Sequence, residues 1–304
     1  MTGSSTSPAA TPLDSTWLRA HPLPDPGEHA DKNARGRVLV VGGSRTVPGG
    51  VRLTAKAAFR SGAGKVQVAT IESAALPLGV AVPEIAVFGL PETDDGEIAQ
   101  HCAAALVPLL PRCDAAILGP AMGCRDAGGA VVDTLLAESV SDGACEAALV
   151  IDAASLISLP SRAQRLRERA SPAILTPHIG EMAALLECDA DGIEDDRAAA
   201  TLRAAERYGA IVVLKGSTSL VATPDGELFA YAGGGVGLAT GGSGDVLAGI
   251  VAGLAARGAS PLEATLWAVW LHGEAGRRCA EQLGPLGFLA SELLAHVPGL
   301  MRGV

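Results

Sequence analysis

Aromatic side chains are scarce in this chain, making up 3% of its 304 residues, so few rings are available on which nucleobases could stack. A net charge of −10 adds electrostatic opposition, and together they argue against nucleic acid as a partner. The six cysteines, at 102, 113, 124, 145, 188 and 279, include no CxxC and no Cys/His pair at metal-ligand spacing. That argues against structural zinc and predicts reduced thiols in a cytoplasmic protein. No Walker A loop occurs, and the first Gly-rich turn lacks GxGxxG, which argues against a P-loop nucleotide site and a Rossmann dehydrogenase. The apolar run after Asp245 falls far short of the ~20 residues a membrane span needs, so no membrane partner is expected. Residues 1–31, rich in Ser, Thr, Pro and Ala, lack the basic start and apolar core of a signal peptide. They read as a flexible leader, with Trp17 and Leu18 placed to dock onto the domain that follows.

What the chain does have is a glycine-rich turn running into a helix. Thr240-Gly241-Gly242-Ser243-Gly244-Asp245 precedes a stretch in which Leu247, Ile250, Val251 and Leu254 recur at i, i+3, i+4 and i+7. This predicts a helix with one apolar face that begins at Gly244 or Asp245 and is capped by Gly258. Glycines before a helix leave N–H groups unobstructed at the positive end of the macrodipole, a common solution for binding phosphate. A carboxylate there competes with the anion unless it has its own task, and Asp245 is placed to take a proton from an attacking hydroxyl. The structural alternative is that Asp245 merely caps the helix. Gly249 and Gly253, four residues apart, predict close approach by a neighbouring element.

With 48% hydrophobic residues the chain can bury a substantial core, and residues 32–304 read as one domain. Short apolar strands are expected at 37–41, 65–69, 85–88, 115–118, 149–151, 173–175 and 211–214. Helical patterns at 51–61, 97–110, 126–140 and 194–208 fall between them, predicting a parallel sheet covered by helices. A hairpin turning at Asp225-Gly226 follows, then a helix over Pro261–Leu283 in which Trp267, Trp270 and His272 read as core packing, and a last helix starting between Gly287 and Leu294.

The ends of five strands carry unusual loops: Gly42-Gly43, Gly119-Pro120-Ala121-Met122-Gly123, Asp152, Thr176-Pro177-His178, and Lys215-Gly216-Ser217-Thr218-Ser219. Ligands of open parallel sheets bind at that edge. Each loop also has a purely structural reading: the glycines turn the chain, Asp152 caps a helix, and His178 is a satisfied buried histidine. Lys215 resists it best, because a lysine ending an apolar strand is costly to bury without an anion, for which a phosphate is the expected partner.

Assembled, the chain from about Arg35 onward resembles the ADP/ATP-dependent NAD(P)H-hydrate dehydratases of the ribokinase-like superfamily. The motifs that carry the resemblance are Val40-Val41-Gly42-Gly43-Ser44, Arg60-Ser61-Gly62-Ala63-Gly64, Gly119–Gly123, Thr176–Glu181, Val213–Gly216 and Ala239–Gly249. The resemblance implies a three-layer α/β/α fold with a central, mostly parallel sheet. It implies ADP-dependent repair of the (6S)-hydrates NADHX and NADPHX, with ADP or ATP as co-substrate, Mg²⁺ as cofactor, and AMP and phosphate as products with ADP.

Carried over by motif, Lys215, Gly216, Ser217, Thr218, Ser219 and Gly244 contact the nucleotide. Gly50, Gly119, Gly123, His178 and Asp245 line the hydrate site, and Gly242, Ser243, Gly244 and Asp245 form the catalytic loop. No resident metal ligands are expected, and the assembly is expected to be a homo-oligomer, with a tetramer in view. The sequence departs from the family pattern at Ala121-Met122 for Gly-Leu, Ile179 for Pro, Ser243 for Thr, and Gly235-Val236 for Asn-Pro. Added bulk at Ala121 would affect how closely the hydrate approaches. Two other readings remain: a small-molecule kinase for a vitamin precursor or sugar, and a noncatalytic adenine-nucleotide sensor.

Overall fold

The computed structural model describes residues 9–27, 30–123, 125–138 and 147–304. Cys124, Cys145 and the end of the helix expected over 126–140 lie outside the described residues.

The strands are β1 Thr11–Pro12, β2 Arg37–Val41, β3 Lys65–Ile71, β4 Ala86–Leu90, β5 Ala115–Leu118, β6 Ala148–Ile151, β7 Ile174–Leu175, β8 Ile211–Leu214, β9 Thr218–Ala222 and β10 Leu228–Ala232. They form one sheet in the order β1-β10-β9-β8-β7-β6-β5-β2-β3-β4. From β8 to β4 every pairing is parallel, whereas β9 runs antiparallel to both β8 and β10. Strands β5 and β8 are buried along their whole length, as expected where helices cover both faces of a parallel sheet. Two apolar cores result, one on each face. This is the expected mostly parallel three-layer arrangement.

The order matters because β8, β7, β6, β5 and β2 are neighbours. The five unusual loops therefore leave the sheet side by side, and β2 and β5 flank the point where strand order reverses. There the amide of Gly43 donates to the carbonyl of Pro120 at 2.8 Å. At Gly42 a side chain has no room, since a Cβ would lie 2.3 Å from that same carbonyl oxygen.

The helix following the anion loop spans Ser243–Ala256, one residue earlier than expected, with Gly242 at its N-cap in a left-handed conformation (φ +87°). Its ending agrees with the sequence reading: Gly258 (φ +100°) donates to Ala255 O and Ala259 to Leu254 O, the paired bonds of a Schellman motif. The expectation of a single apolar face is corrected. Of its fourteen residues twelve are buried, so the helix is enclosed on all sides, as an all-round apolar helix must be. It packs against the Gly50–Arg60 helix, the sheet and the Pro261–Leu283 helix.

The flexible leader is also revised over residues 11–24. β1 pairs with β10 and covers that edge of the sheet, and Asp14 caps the Ser15–Ala20 helix, whose Leu18 is fully buried. Trp17 meets the Phe229 ring edge-on at 6.0 Å, Trp267 Nε1 donates to His21 O at 2.7 Å, and Arg257 donates to Pro24 O at 2.7 Å. The expected docking of Trp17 and Leu18 is thus observed, while low apolar periodicity concealed the short strand and helix that carry it. Among the described residues no helix is long and apolar enough to cross a membrane.

Close helix packing requires Gly249 and Gly253, where a Cβ would lie 2.3 Å from Thr54 O and 2.1 Å from Ser61 Oγ respectively. Replacing glycine by alanine inside a helix gains up to about 1 kcal/mol of propensity, but overpacking costs about 1–3 kcal/mol, and here the obstacle at Gly249 is backbone. Gly249→Ala is therefore expected to lower the melting temperature, as read by circular dichroism. An unchanged or higher value contradicts this packing.

Candidate functional site

Asp152 begins the loop after β6 and is almost fully buried. Its Oδ1 accepts from Thr176 Oγ1 at 2.8 Å and from Lys215 Nζ at 3.2 Å. Lys215 also lies 3.5 Å from Glu181 Oε2. The sequence reading that Lys215 waits for a phosphate alone is thus corrected: its charge is already shared by two protein carboxylates. Burial pulls its pKa down, but Asp152 and Glu181 outweigh that and the net shift is upward. Lys215 remains 22% exposed and lies 3.5 Å from the point where a Cβ on Gly244 would sit, which places its ammonium at the mouth of the helix.

Glu181 earns its position through a cap. His178 is the N-cap of the Ile179–Leu186 helix, its Nδ1 accepting from Glu181 N at 3.2 Å while its own N–H donates to Glu181 Oε2 at 2.7 Å. The buried-histidine reading fails, since the His178 side chain is 61% exposed. Downstream, Arg197 donates to Thr218 O at 3.1 Å and leaves no space for a side chain at Gly216, where a Cβ would lie 2.4 Å from its Nη2. This arginine braces the segment holding Gly216, Ser217, Thr218 and Ser219.

At the helix mouth, Ser243 N–H is occupied by Thr240 O at 3.2 Å, whereas the amides of Gly242, Gly244 and Asp245 have no partner among the described residues. Beneath them His272 Nε2 sits 2.9 Å from Ser243 Oγ and 3.1 Å from Ser243 O. Burial, opposed by the bond to Ser243 and aided by the charge of Lys215, pushes the His272 pKa down to about 4, so the ring is neutral near pH 7. Reading His272 as simple core packing missed this support of the loop.

The Asp245 side chain makes no hydrogen bond or ion pair among the described residues, which removes the capping alternative. Burial, reinforced by the nearby Asp152 and opposed by Lys215, raises its pKa to about 7. A Cβ on Gly50 would lie 3.2 Å from Asp245 Oδ2 and 2.4 Å from Ala121 Cβ, so Gly50, Ala121 and Asp245 meet at one point. Ala121 adopts φ +56°, a left-handed conformation that suits the glycine common there in the family.

Gly119 is accounted for by packing, because a Cβ there would fall 1.9 Å from Asp152 O. Gly123 donates to both carboxylate oxygens of Glu97 at 3.2 Å. From Gly50, Gly242 and Asp245 a cleft of about 960 Å³ opens along the Gly50–Arg60 helix. No group of three or more His, Cys, Asp or Glu able to hold a metal ion exists among the described residues.

The Asp245 shift carries a stability consequence. The folded state holds its proton up to about pH 7, while the unfolded group loses it near 3.8, so folding stability falls as pH rises between those values. Asp245→Asn stays neutral throughout. Its melting temperature is therefore expected to match the parent below about pH 4 and to exceed it above about pH 7, a gap that thermal melts across that range will detect. Parallel melting curves contradict the raised pKa of Asp245.

A family model described as NAD(P)H-hydrate dehydratase matches residues 38–298. A relative from Xanthomonas campestris pv. campestris, named ADP-dependent (S)-NAD(P)H-hydrate dehydratase, is 44% identical over 97% of this chain and 98% of its own. Among solved structures, the ADP/ATP-dependent NAD(P)H-hydrate dehydratase from Bacillus subtilis co-crystallised with ATP/Mg²⁺ superposes with a TM-score of 0.80 at 27% identity, covering 97% of this chain and 98% of that one. A ribokinase-like superfamily protein from Enterococcus faecalis gives a TM-score of 0.79 at 26% identity, with coverage of 97% and 96%. Fold, motif order and near-complete coverage agree, and the chain belongs to the NAD(P)H-hydrate dehydratase family.

Proposed function

We propose that this protein is an ADP-dependent (6S)-NAD(P)H-hydrate dehydratase that restores NADH and NADPH from their hydrates. The observation that carries the reading is a half-buried carboxylate without hydrogen-bond partners, Asp245, whose pKa is raised to about 7 beside free amides at a helix N-terminus. A general base works best when its pKa lies near the working pH.

In this reading the hydrate hydroxyl attacks the terminal phosphoryl of ADP. The new O–P bond forms as the bridging P–O bond breaks, AMP leaves, and the hydroxyl proton passes to Asp245. The phosphate ester's C–O bond then breaks, an adjacent C–H proton is lost to solvent, and the ring double bond returns as phosphate departs. Amides of Gly244 and Asp245 stabilise the transferring phosphoryl group, in place of the Ser243 amide, which is occupied. Lys215, with the Gly216–Ser219 segment, meets the nucleotide phosphates, while Gly50, Gly123 and His178 border the hydrate.

Mg²⁺ fits as an ion carried by the nucleotide, since such sites need only one or two carboxylates. Asp152 would supply one, because its Oδ2 accepts no hydrogen bond among the described residues and lies 4.0 Å from the Cβ position of Gly244. The ion would offset charge on the phosphates. We further propose a cytoplasmic homo-oligomer, with a tetramer as the form to test.

Incubating hydrated NADH with ADP and Mg²⁺ is expected to restore absorbance at the reduced-nicotinamide band, with AMP and phosphate released together. A stable phosphate ester would instead indicate a small-molecule kinase, and no change with either ADP or ATP would sink the proposal. Lys215→Ala is expected to reduce nucleotide affinity by roughly 1–3 kcal/mol in calorimetric titration. It is also expected to destabilise the fold, because Asp152 and Glu181 lose their shared cation. Unchanged nucleotide affinity contradicts the phosphate role.

A further inference from the structure

The Gly50–Arg60 helix carries three cations that the site described so far does not use. Arg52, Lys56 and Arg60 recur every four residues and so lie on one helix face. All three line the 960 Å³ cleft that opens from Gly50 and Asp245. None has a hydrogen bond or ion pair among the described residues, although the chain as a whole carries a net charge of −10. Between them the wall is apolar, with Leu53 and Phe59 on the same helix and Leu294 also lining the cleft, and Glu84 and Asp245 are its only carboxylates among the described residues.

Distance along the helix gives this stripe a meaning. A Cβ on Gly50 would sit 3.2 Å from Asp245 Oδ2, so the helix starts where the reacting hydroxyl must be. With a rise of about 1.5 Å per residue, Arg52, Lys56 and Arg60 follow at roughly 3, 9 and 15 Å along the axis. A dinucleotide held with its nicotinamide ring at Asp245 continues outward through a ribose to a diphosphate and then to a second nucleoside. An unpaired cationic stripe leading away from the base suits that order of groups, and the apolar wall suits a purine.

Resting on the dehydratase reading, we propose that Arg52, Lys56 and Arg60 bind the phosphates of the dinucleotide substrate, the diphosphate foremost, and so position the hydrated ring at Asp245. They are specificity residues for the dinucleotide and take no part in holding ADP. The two ligands enter from different sides of the helix mouth, ADP from Lys215 and the dinucleotide from the Gly50–Arg60 helix.

The test is calorimetric titration of the full chain with NADPH, the product dinucleotide, which reports binding whether or not turnover occurs. Arg52→Ala/Lys56→Ala is expected to weaken NADPH about tenfold or more, the loss typical of removing charge-assisted hydrogen bonds. ADP affinity, and affinity for reduced nicotinamide riboside, which carries no phosphate, should stay within about twofold. Arg52→Lys/Lys56→Arg should retain most of the NADPH affinity. Unchanged NADPH affinity overturns the proposal, as does an equal loss for ADP or for the riboside. Failure of the parent to restore absorbance from hydrated NADH counts against the dehydratase reading alone, because the NADPH titration still decides the stripe.

Discussion

Burial of the Ser243–Ala256 helix on every side is the constraint from which the site follows. An enclosed helix cannot slide or tilt without opening voids on several faces at once, so its N-terminus is held rigidly. Gly249 and Gly253 let the Gly50–Arg60 helix approach until backbone meets backbone. That approach brings the start of a second helix against Asp245. The anion loop, the base and the floor of the cleft are thus fixed by packing, with His272 securing Ser243 from below.

Around this mouth the electrostatics are unbalanced by design of the sequence: Asp152, Glu181 and Asp245 surround one lysine. Lys215 is close enough to satisfy Asp152 and Glu181, and the remaining carboxylate bears the consequence. Asp245 has no donor of its own, is half-buried, and feels the charge of Asp152, so it keeps its proton up to about pH 7. An isolated acid at a helix terminus would do the opposite, because the macrodipole and free amides favour the anion. Desolvation and the neighbouring carboxylate win here.

Much of this was legible in the sequence where local chemistry is unambiguous. The strands at 115–118 and 211–214, the Pro261–Leu283 helix, the Schellman glycine at 258 and the five loops along one sheet edge all follow from periodicity and turn residues. Less legible were features set by contacts distant in sequence. Lys215 pairs with residues 63 and 34 positions away, and nothing local to Lys215 announces either partner. His178 looked like a core histidine because sequence does not report exposure, and His272 looked like packing because its partner lies in another helix. The stripe at Arg52, Lys56 and Arg60 was not read from the sequence, because its spacing acquires significance only once the helix is seen to start at Asp245 and to line a cleft. Similarly, residues 11–24 read as a leader until β10 supplies an edge to cover.

The central claim is that Asp245 acts as the base and not as a cap. Single-turnover repair of hydrated NADH by Asp245→Asn, beside calorimetric titration with ADP, separates the two. The account predicts a rate lowered by about 10²–10⁴, the range for losing a general base, with ADP affinity equal to or slightly above that of the parent. Turnover within about threefold of the parent, far outside that range, would contradict it.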